Sequence, residues 1–375
     1  MAVSPAFLTV VPMNRMRMPA LLLVGFSLVG LMAACGKDSN NGSQATKGST
    51  SESTSAKLAP ATLNGSGSTF VQPFLEQVIA SFSEKNSGVV INYGGGGSGK
   101  GRTDLQGGIV DFAGTDATVA AADVAKYKGP FLYFPTVAAP ITVSFHLTGV
   151  DSLQLSPATI AKIFMGTIKT WNAADIAADN PGVKLPSTAI TVAHRSDSSG
   201  TTSNFTNFLK MAAGPAWTLD AGSTVNWPAG EQAGNGNSGV AQIISTTNGA
   251  VGYVDFSDAK AANLHFAKVK NKAGKFVEAT LDGASAALAN VTINPDLTYN
   301  PLWADGDAAY PITSPTWIIA YTNQADHAKG AALKAFLSYI YSSGQDMANG
   351  INYAKLSDAI KSQAVAQLDK LVVPA

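Results

Sequence analysis

The sequence predicts an α/β protein with mostly parallel sheets, and three observations carry that expectation. Short runs of β-branched and aromatic residues alternate with stretches of helical periodicity. The strand-like runs pass repeatedly into helices through junctions of Gly, Ser and Thr. Only 13% of the 375 residues are charged, against about 25% in an average soluble domain, which leaves enough apolar sequence for two well-buried cores.

The first 35 residues read as a targeting segment. Arg15 and Arg17 precede an apolar run over 20–34 that is short for a membrane span, and Cys35, the only cysteine, follows small residues as in a bacterial lipobox. Cys35 is therefore expected to be the lipidated first residue of the mature chain, with Met32 standing where Leu is usual. A plain signal peptide with an incidental cysteine, or an uncleaved anchor, would leave a similar pattern. Residues 36–57 have no apolar periodicity and read as a flexible tether.

The folded sequence begins near Leu58. Residues 61–63 suggest a strand and 64–68 a Gly/Ser turn, while Phe70, Phe74, Val78 and Phe82 fall four apart, the buried stripe of a helix starting near Thr69. A strand over 89–93 runs into G-G-G-G-S-G-K at 94–100 and a helical piece to about Gln106. A third strand, 110–113, ends in Gly114-Thr115-Asp116 before another helical piece near 120–126. Residues 135–147 are extended and contain two prolines. Ser156-Pro157 gives an N-cap and a first-turn proline to a helix carrying Ile160, Ile163 and Phe164. A strand over 189–193 precedes a helix marked by Phe205, Phe208 and Leu209, and Gly236-Asn237-Ser238-Gly239 opens another with Val240, Ile243 and Ile244. A strand over 250–256, a hairpin over 264–279, a second proline-bearing extended passage at 310–315, a strand over 317–321 and a helix over about 325–341 complete the chain, with no fixed-period repeat.

The most informative stretch is 193–208, A-H-R-S-D-S-S-G-T-T-S-N-F-T-N-F. Its strand-to-helix junction aims unpaired amides, the hydroxyls of Ser199 and Thr201 and the positive end of the helix dipole at one spot, which suits an anion. Arg195 adds a planar fork of donors matched to a tetrahedral oxyanion, and Asp197 can hold that guanidinium. Alone, a capped helix beside a surface ion pair would produce the same string. Three further junctions, 67–70, 97–99 and 114–116, share its chemistry, and in an open α/β sheet such junctions gather on one edge.

Lys+Arg and Asp+Glu number 25 each, so no basic field favours nucleic acid and any charge selectivity is local. G-x-x-x-x-G-K fits 94–100, but Gly101 stands where a nucleotide-binding loop needs Ser or Thr for Mg²⁺. There is no G-x-S-x-G, and His146, His194, His265 and His327 are scattered without a metal-binding spacing, so neither metal nor cofactor is expected. His194 adjoins Arg195 on a strand, which turns it to the opposite face.

Taken together, G-S-G-S-T-F, Y-G-G-G-G-S-G, D-F-A-G-T-D, F-P-T-V, H-R-S-D-S-S-G-T and Y-P-I-T-S resemble the phosphate-binding protein of bacterial high-affinity phosphate ABC transporters, the PstS family, over nearly all of 58–371. The resemblance implies a two-lobed class II periplasmic-binding-protein fold with two hinge crossings, lobe I comprising 58–138 and 311–375 and lobe II 139–310. By position it implies phosphate ligands at Thr69, Phe70, Ser98, Asp116, Arg195, Ser199, Gly200 and Thr201, with Asp197 bracing the arginine. The family usually has glycine where Ser198 stands, commonly alanine at Ser68, and often an apolar residue at Gly96. It further implies an extracytoplasmic, lipid-anchored, monomeric and non-enzymatic receptor that hands inorganic phosphate to a membrane permease, without cofactor or nucleic acid. The alternatives are a receptor of the same fold for sulfate or molybdate, and a secreted phosphatase of the binding-protein type. Asp116 discriminates against the first, because a carboxylate suits an anion that keeps a proton. A phosphatase would need a nucleophile or metal cluster that the sequence does not offer.

Overall fold

The computed structural model describes residues 57–375; the leader, Cys35 and all but the last residue of the tether lie outside the described residues. The chain first alternates strands and helices: β1 (Ala61–Gly67), α1 (Gln72–Lys85), β2 (Val89–Gly94), α2 (Ser98–Gly107) and β3 (Phe112–Thr115), with a 3₁₀ turn at Ala121–Lys126. α1 forms because its apolar residues recur on one side, and Phe74, Leu75, Val78 and Phe82 are buried there, each contributing about 1.5–3 kcal/mol of transfer free energy. The long β4 (Phe131–His146) leads to β5 (Gln154–Leu155), α3 (Pro157–Phe164), α4 (Ala174–Asp179) and β6 (Thr191–Arg195). α5 (Gly200–Ala212), β7 (Gln232–Gly234), α6 (Gly236–Thr246), β8 (Ala250–Asp255) and α7 (Phe256–Ala261) follow. β9 (His265–Phe266), β10 (Lys268–Lys270), β11 (Phe276–Val277) and α8 (Leu281–Leu288) precede the return strand β12 (Thr313–Tyr321). The C-terminal part comprises α9 (His327–Tyr339), a π-helical turn at Ile340–Gly344, α10 (Gln345–Ala348) and α11 (Asp358–Gln367).

The main sheet runs β2-β1-β3-β12-β4-β8-β6-β7, with β9 also on β4. β4 belongs to both of its halves. Phe131 to Pro140 pair antiparallel with β12, and Ile141 to His146 pair antiparallel with β8. The two-lobed architecture follows, each half-sheet carrying its own helices. Of the two proline-bearing extended passages, 135–147 lies almost wholly in β4, which holds Pro135 and Pro140, and 310–315 enters β12 only at Thr313, with an irregular register between Pro315 and Trp317. A proline cannot donate to a ladder, so the irregularity falls where the pattern is interrupted.

Three expectations need correction. The main sheet is mixed rather than mostly parallel, with four parallel pairings against four antiparallel ones, and β5, β10 and β11 form a separate three-stranded sheet. The strand-helix alternation reports only the outer strands, whereas β4 and β12 pair antiparallel and so need no crossover helix. Residues 64–67 are not a turn but the second half of β1. Their glycines answer to close packing, since a Cβ on Gly65 would lie 2.3 Å from the Phe112 ring. α1 begins at Gln72, not Thr69, because residues 68–71 form the turn that follows β1.

α2 lies across the end of β1, and the approach is closest at Gly101, where a Cβ would stand 2.6 Å from Gly67 Cα and Ser66 O. Both are backbone atoms and cannot swing aside. Gly101→Ala is therefore expected to destabilise the fold by about 1–3 kcal/mol despite the better helix propensity of alanine; an unchanged urea midpoint would show that α2 does not sit this close.

Candidate functional site

Parallel pairing within each half, β1 with β2 and β3, and β6 with β7 and β8, puts their carboxyl ends on one edge. The turns leaving these ends face one another across the bend in the sheet. From one half come Ser68 to Phe70, Gly97 to Gly99 and Asp116; from the other come Arg195 to Thr201 and Gly236 with Asn237. All the residues singled out in the four junctions converge here, and a fifth junction, β7 to α6, joins them.

Asp116 is 2% exposed. Ser68 Oγ donates to it at 2.6 Å from Oδ1 and 2.7 Å from Oδ2, and Ser98 Oγ donates to Oδ2 at 3.2 Å. The opposite charge is Arg195, 4% exposed. Its Nε donates to Asp197 Oδ1 at 2.7 Å and its Nη2 to Asp197 Oδ2, a two-pronged brace, while Nη1 reaches Thr201 Oγ1 at 3.3 Å. Hydrogens remain on Nη1 and Nη2 that no protein acceptor takes among the described contacts. Asp197 Oδ1 also accepts from Gly236 N at 3.1 Å, so one carboxylate holds both the arginine and the start of α6.

Ser199 caps α5, its Oγ accepting from Thr202 N at 3.1 Å. Gly200 opens the helix, and a Cβ there would lie 2.4 Å from Ser98 Oγ and 2.6 Å from Asp116 Oδ2. Only a bare backbone lets α5 approach Asp116 this closely. Phe70 N donates to Ser68 Oγ at 3.0 Å, and its ring is fully buried. Direct contacts tie the halves together: among them Gly99 N donates to Ser198 O at 2.9 Å, Asn204 Nδ2 to Asp116 O at 2.6 Å, and Asn237 N to Thr69 Oγ1 at 3.3 Å.

Beneath the cluster lies an aromatic floor. The Tyr253 ring stacks on Phe205 at 4.6 Å, and its hydroxyl accepts from Arg195 N at 3.0 Å and bonds Thr202 Oγ1 at 2.7 Å. Burial pushes this phenol up to about 12, so it stays neutral at physiological pH. His194 stacks on Trp227 at 5.2 Å and turns Nδ1 to Arg195 O, away from the cluster as its strand position requires; burial lowers its pKa. Lys100 pairs with Asp104 on its own helix and is half-exposed. No group of three or more His, Cys, Asp or Glu side chains among the described residues is arranged for a metal ion.

Sequence reasoning counted Ser68 within the 67–70 junction but gave it no role at Asp116, and missed Asn204, Gly236, Asn237 and Tyr253 as members of the cluster. The G-N-G-N-S-G string at 234–239 was the available signal, since it repeats the small-residue chemistry of the other four junctions.

A family model described as a PBP superfamily domain matches residues 42–343. The phosphate-binding protein PstS of Xylella fastidiosa (strain 9a5c) is 31% identical over 333 residues, covering 88% of this chain and 89% of its own. Phosphate-binding protein PstS3 of Mycobacterium bovis (strain BCG / Pasteur 1173P2) is 34% identical over 365 residues, covering 94% and 97%. Among solved structures, a high-affinity periplasmic phosphate-binding protein, PfluDING, bound with phosphate, matches with a TM-score of 0.70 at 22% identity over 82% of this chain and 94% of its own. A putative phosphate ABC transporter substrate-binding protein with bound phosphate from Clostridium perfringens matches with a TM-score of 0.59 at 19% identity, over 79% and 100%. At these identities the structures establish the fold.

Burial raises the pKa of Asp116, and the hydrogen bonds from Ser68 and the charge of Arg195 only partly oppose it. The folded state therefore holds the Asp116 proton more tightly than the unfolded chain does, and this group's contribution to stability falls as pH rises from the usual carboxylate range through the raised value. In the ligand-free protein Asp116→Asn should gain thermal stability relative to the parent between pH 4 and pH 7.5. A parent-to-variant difference that does not change with pH would show that the carboxyl is hydrated.

Proposed function

The chain belongs to the phosphate-binding protein (PstS) family of the PBP superfamily, and on that premise we propose that it is an extracytoplasmic, non-enzymatic receptor whose lobes close on inorganic phosphate and deliver it to an ABC-type permease. The observation that carries the reading is a buried carboxylate, Asp116, set among donors from both halves of the sheet. The proposed ligands are Thr69, Phe70, Ser98, Asp116, Arg195, Ser199, Gly200 and Thr201, with Asp197 fixing the arginine fork. The lobes proposed to move are 58–138 with 311–375, and 139–310, turning about β4 and the passage into β12.

Asp116 looks misplaced in an anion site, because two like charges about 4 Å apart repel by roughly 4 kcal/mol at an effective dielectric near 20. Phosphate at neutral pH keeps at least one proton, which it can share with the carboxylate in a charge-assisted hydrogen bond. Fully ionised sulfate has none, and a 4 kcal/mol difference corresponds to roughly a thousandfold preference. Sulfate could enter only when Asp116 itself is protonated, so its binding should strengthen as pH falls through the raised pKa of that group.

One calorimetric series tests the reading. Arg195→Ala should weaken phosphate binding by about 2–5 kcal/mol, since it removes a charge-assisted contact from a desolvated cleft, and Asp197→Ala should cost less because it only frees the fork. The parent should ignore millimolar sulfate at pH 8 and admit it on acidification, and Asp116→Asn should narrow the gap between the anions. A parent that binds both alike at pH 8 would refute the role of Asp116.

We further propose that Cys35 carries the lipid anchor and that the tether sets the receptor, as a monomer, above the outer face of the membrane. Cys35→Ala should then release the protein from the membrane fraction with phosphate affinity unchanged, because the tether separates anchor from cleft. Equal membrane retention of the two forms would refute it.

A further inference from the structure

Asn237 is a fully buried polar residue of the cleft that the proposed ligand set leaves out. It lies in the first turn of α6. Its main-chain N and its Nδ2 both donate to Thr69 Oγ1 at 3.3 Å, and Nδ2 also donates to Thr201 Oγ1 at 3.3 Å. Thr201 Oγ1 accepts in addition from Arg195 Nη1 at 3.3 Å. A hydroxyl oxygen offers two lone pairs and one hydrogen. Thr69 therefore has its acceptor capacity filled by Asn237 alone, and Thr201 has its capacity filled by Asn237 and Arg195. Each can now only donate, and no protein acceptor takes either hydrogen among the described contacts. Asn237 Oδ1 is itself buried without a partner, an arrangement that stability alone does not select.

We propose that Asn237 is a positioning residue for anion recognition. Its main-chain and side-chain N–H groups fill both lone pairs of Thr69 and, together with Arg195, those of Thr201, and so make one hydroxyl from each half of the sheet an obligate donor toward the bound anion. This role rests on the phosphate-receptor reading above. It also links closure to recognition, because Thr69 reaches the Asn237 amide only when the halves meet. The donors are then set by the same contact that brings the halves together.

The decisive variant is Asn237→Asp, which keeps the shape and reverses the polarity. The side-chain carboxylate cannot donate to either threonine, leaves Thr69 only the main-chain N–H of residue 237, and takes the threonine hydrogens away from the ligand. The charged groups around it are Arg195 and Asp197 at the α6 junction and Asp116 across the cleft. Calorimetry at pH 8 should show phosphate affinity reduced on the order of 100-fold relative to the parent. The ratio to the parent should recover at pH 5 as the new carboxyl takes up a proton. Unchanged affinity at pH 8, or the same ratio at both pH values, would overturn the role. A double-mutant cycle gives an independent reading. In a Thr69→Val/Thr201→Val background, Asn237→Ala should cost less than about 3-fold if it acts through the hydroxyls, whereas its full single-variant loss there would show that it acts directly and would overturn the proposal. A parent that binds no phosphate at all would remove the receptor reading and the positioning role with it.

Discussion

A carboxylate that is 2% exposed destabilises a fold unless its oxygens are hydrogen-bonded and its charge is answered. Asp116 sets that condition, and much of the surrounding cleft meets it. Ser68 gives its hydrogen to both oxygens and in turn accepts from the amide of Phe70, so the turn after β1 is shaped around the carboxylate. Ser98, at the start of α2, gives its hydrogen to Oδ2 alone and accepts from the main-chain N–H of Asp116 itself. Gly200 lacks a side chain so that α5 can bring its amide end up to the same oxygens. Asn204 takes the main-chain carbonyl of Asp116, which fixes the residue from behind.

Arg195 is buried almost as completely, and its charge is met from the side rather than by Asp116. The Asp197 brace consumes one edge of the guanidinium and leaves the other turned toward the cleft. A free arginine would lose rotamer entropy on every binding event; this one is already ordered by its partner and by Tyr253, which receives its main-chain N–H. Formal charge over the whole chain sums to +0, so the anion selectivity argued here comes from a few buried groups and not from a long-range field.

The sequence made much of this legible because the relevant signals are local. Strand-to-helix junctions announce themselves by Gly, Ser and Thr, and four of the five that meet in the cleft were identified in that way. Asp197 as the brace of Arg195 was also readable, because the two lie two residues apart at one junction. Long-range pairings were not readable. The antiparallel insertion of β12 between β3 and β4 joins residues about two hundred positions apart, and no periodicity within either segment encodes its neighbour. Residues 64–67 were misread because glycines placed for a close approach to Phe112 and Gly114 look identical to glycines placed for a turn. Asn237 was missed as a member of the cleft for a related reason: its partners, Thr69 and Thr201, come from two other junctions, and only the fold brings all three together.

The strand β4 leaves one half of the sheet and enters the other without leaving extended conformation, and it is paired along most of its length, with one irregularity opposite Pro315 to Trp317. A joint of this kind has no slack. Where a glycine-rich linker would let two bodies tumble freely, a continuous strand resists bending and stores energy when flexed, so the halves are coupled by something closer to a leaf spring than to a swivel. In the lobe closure proposed above, rotation would be shared among many small dihedral changes around Pro140 and Ile141, and the returning force of the strand would oppose the closed arrangement.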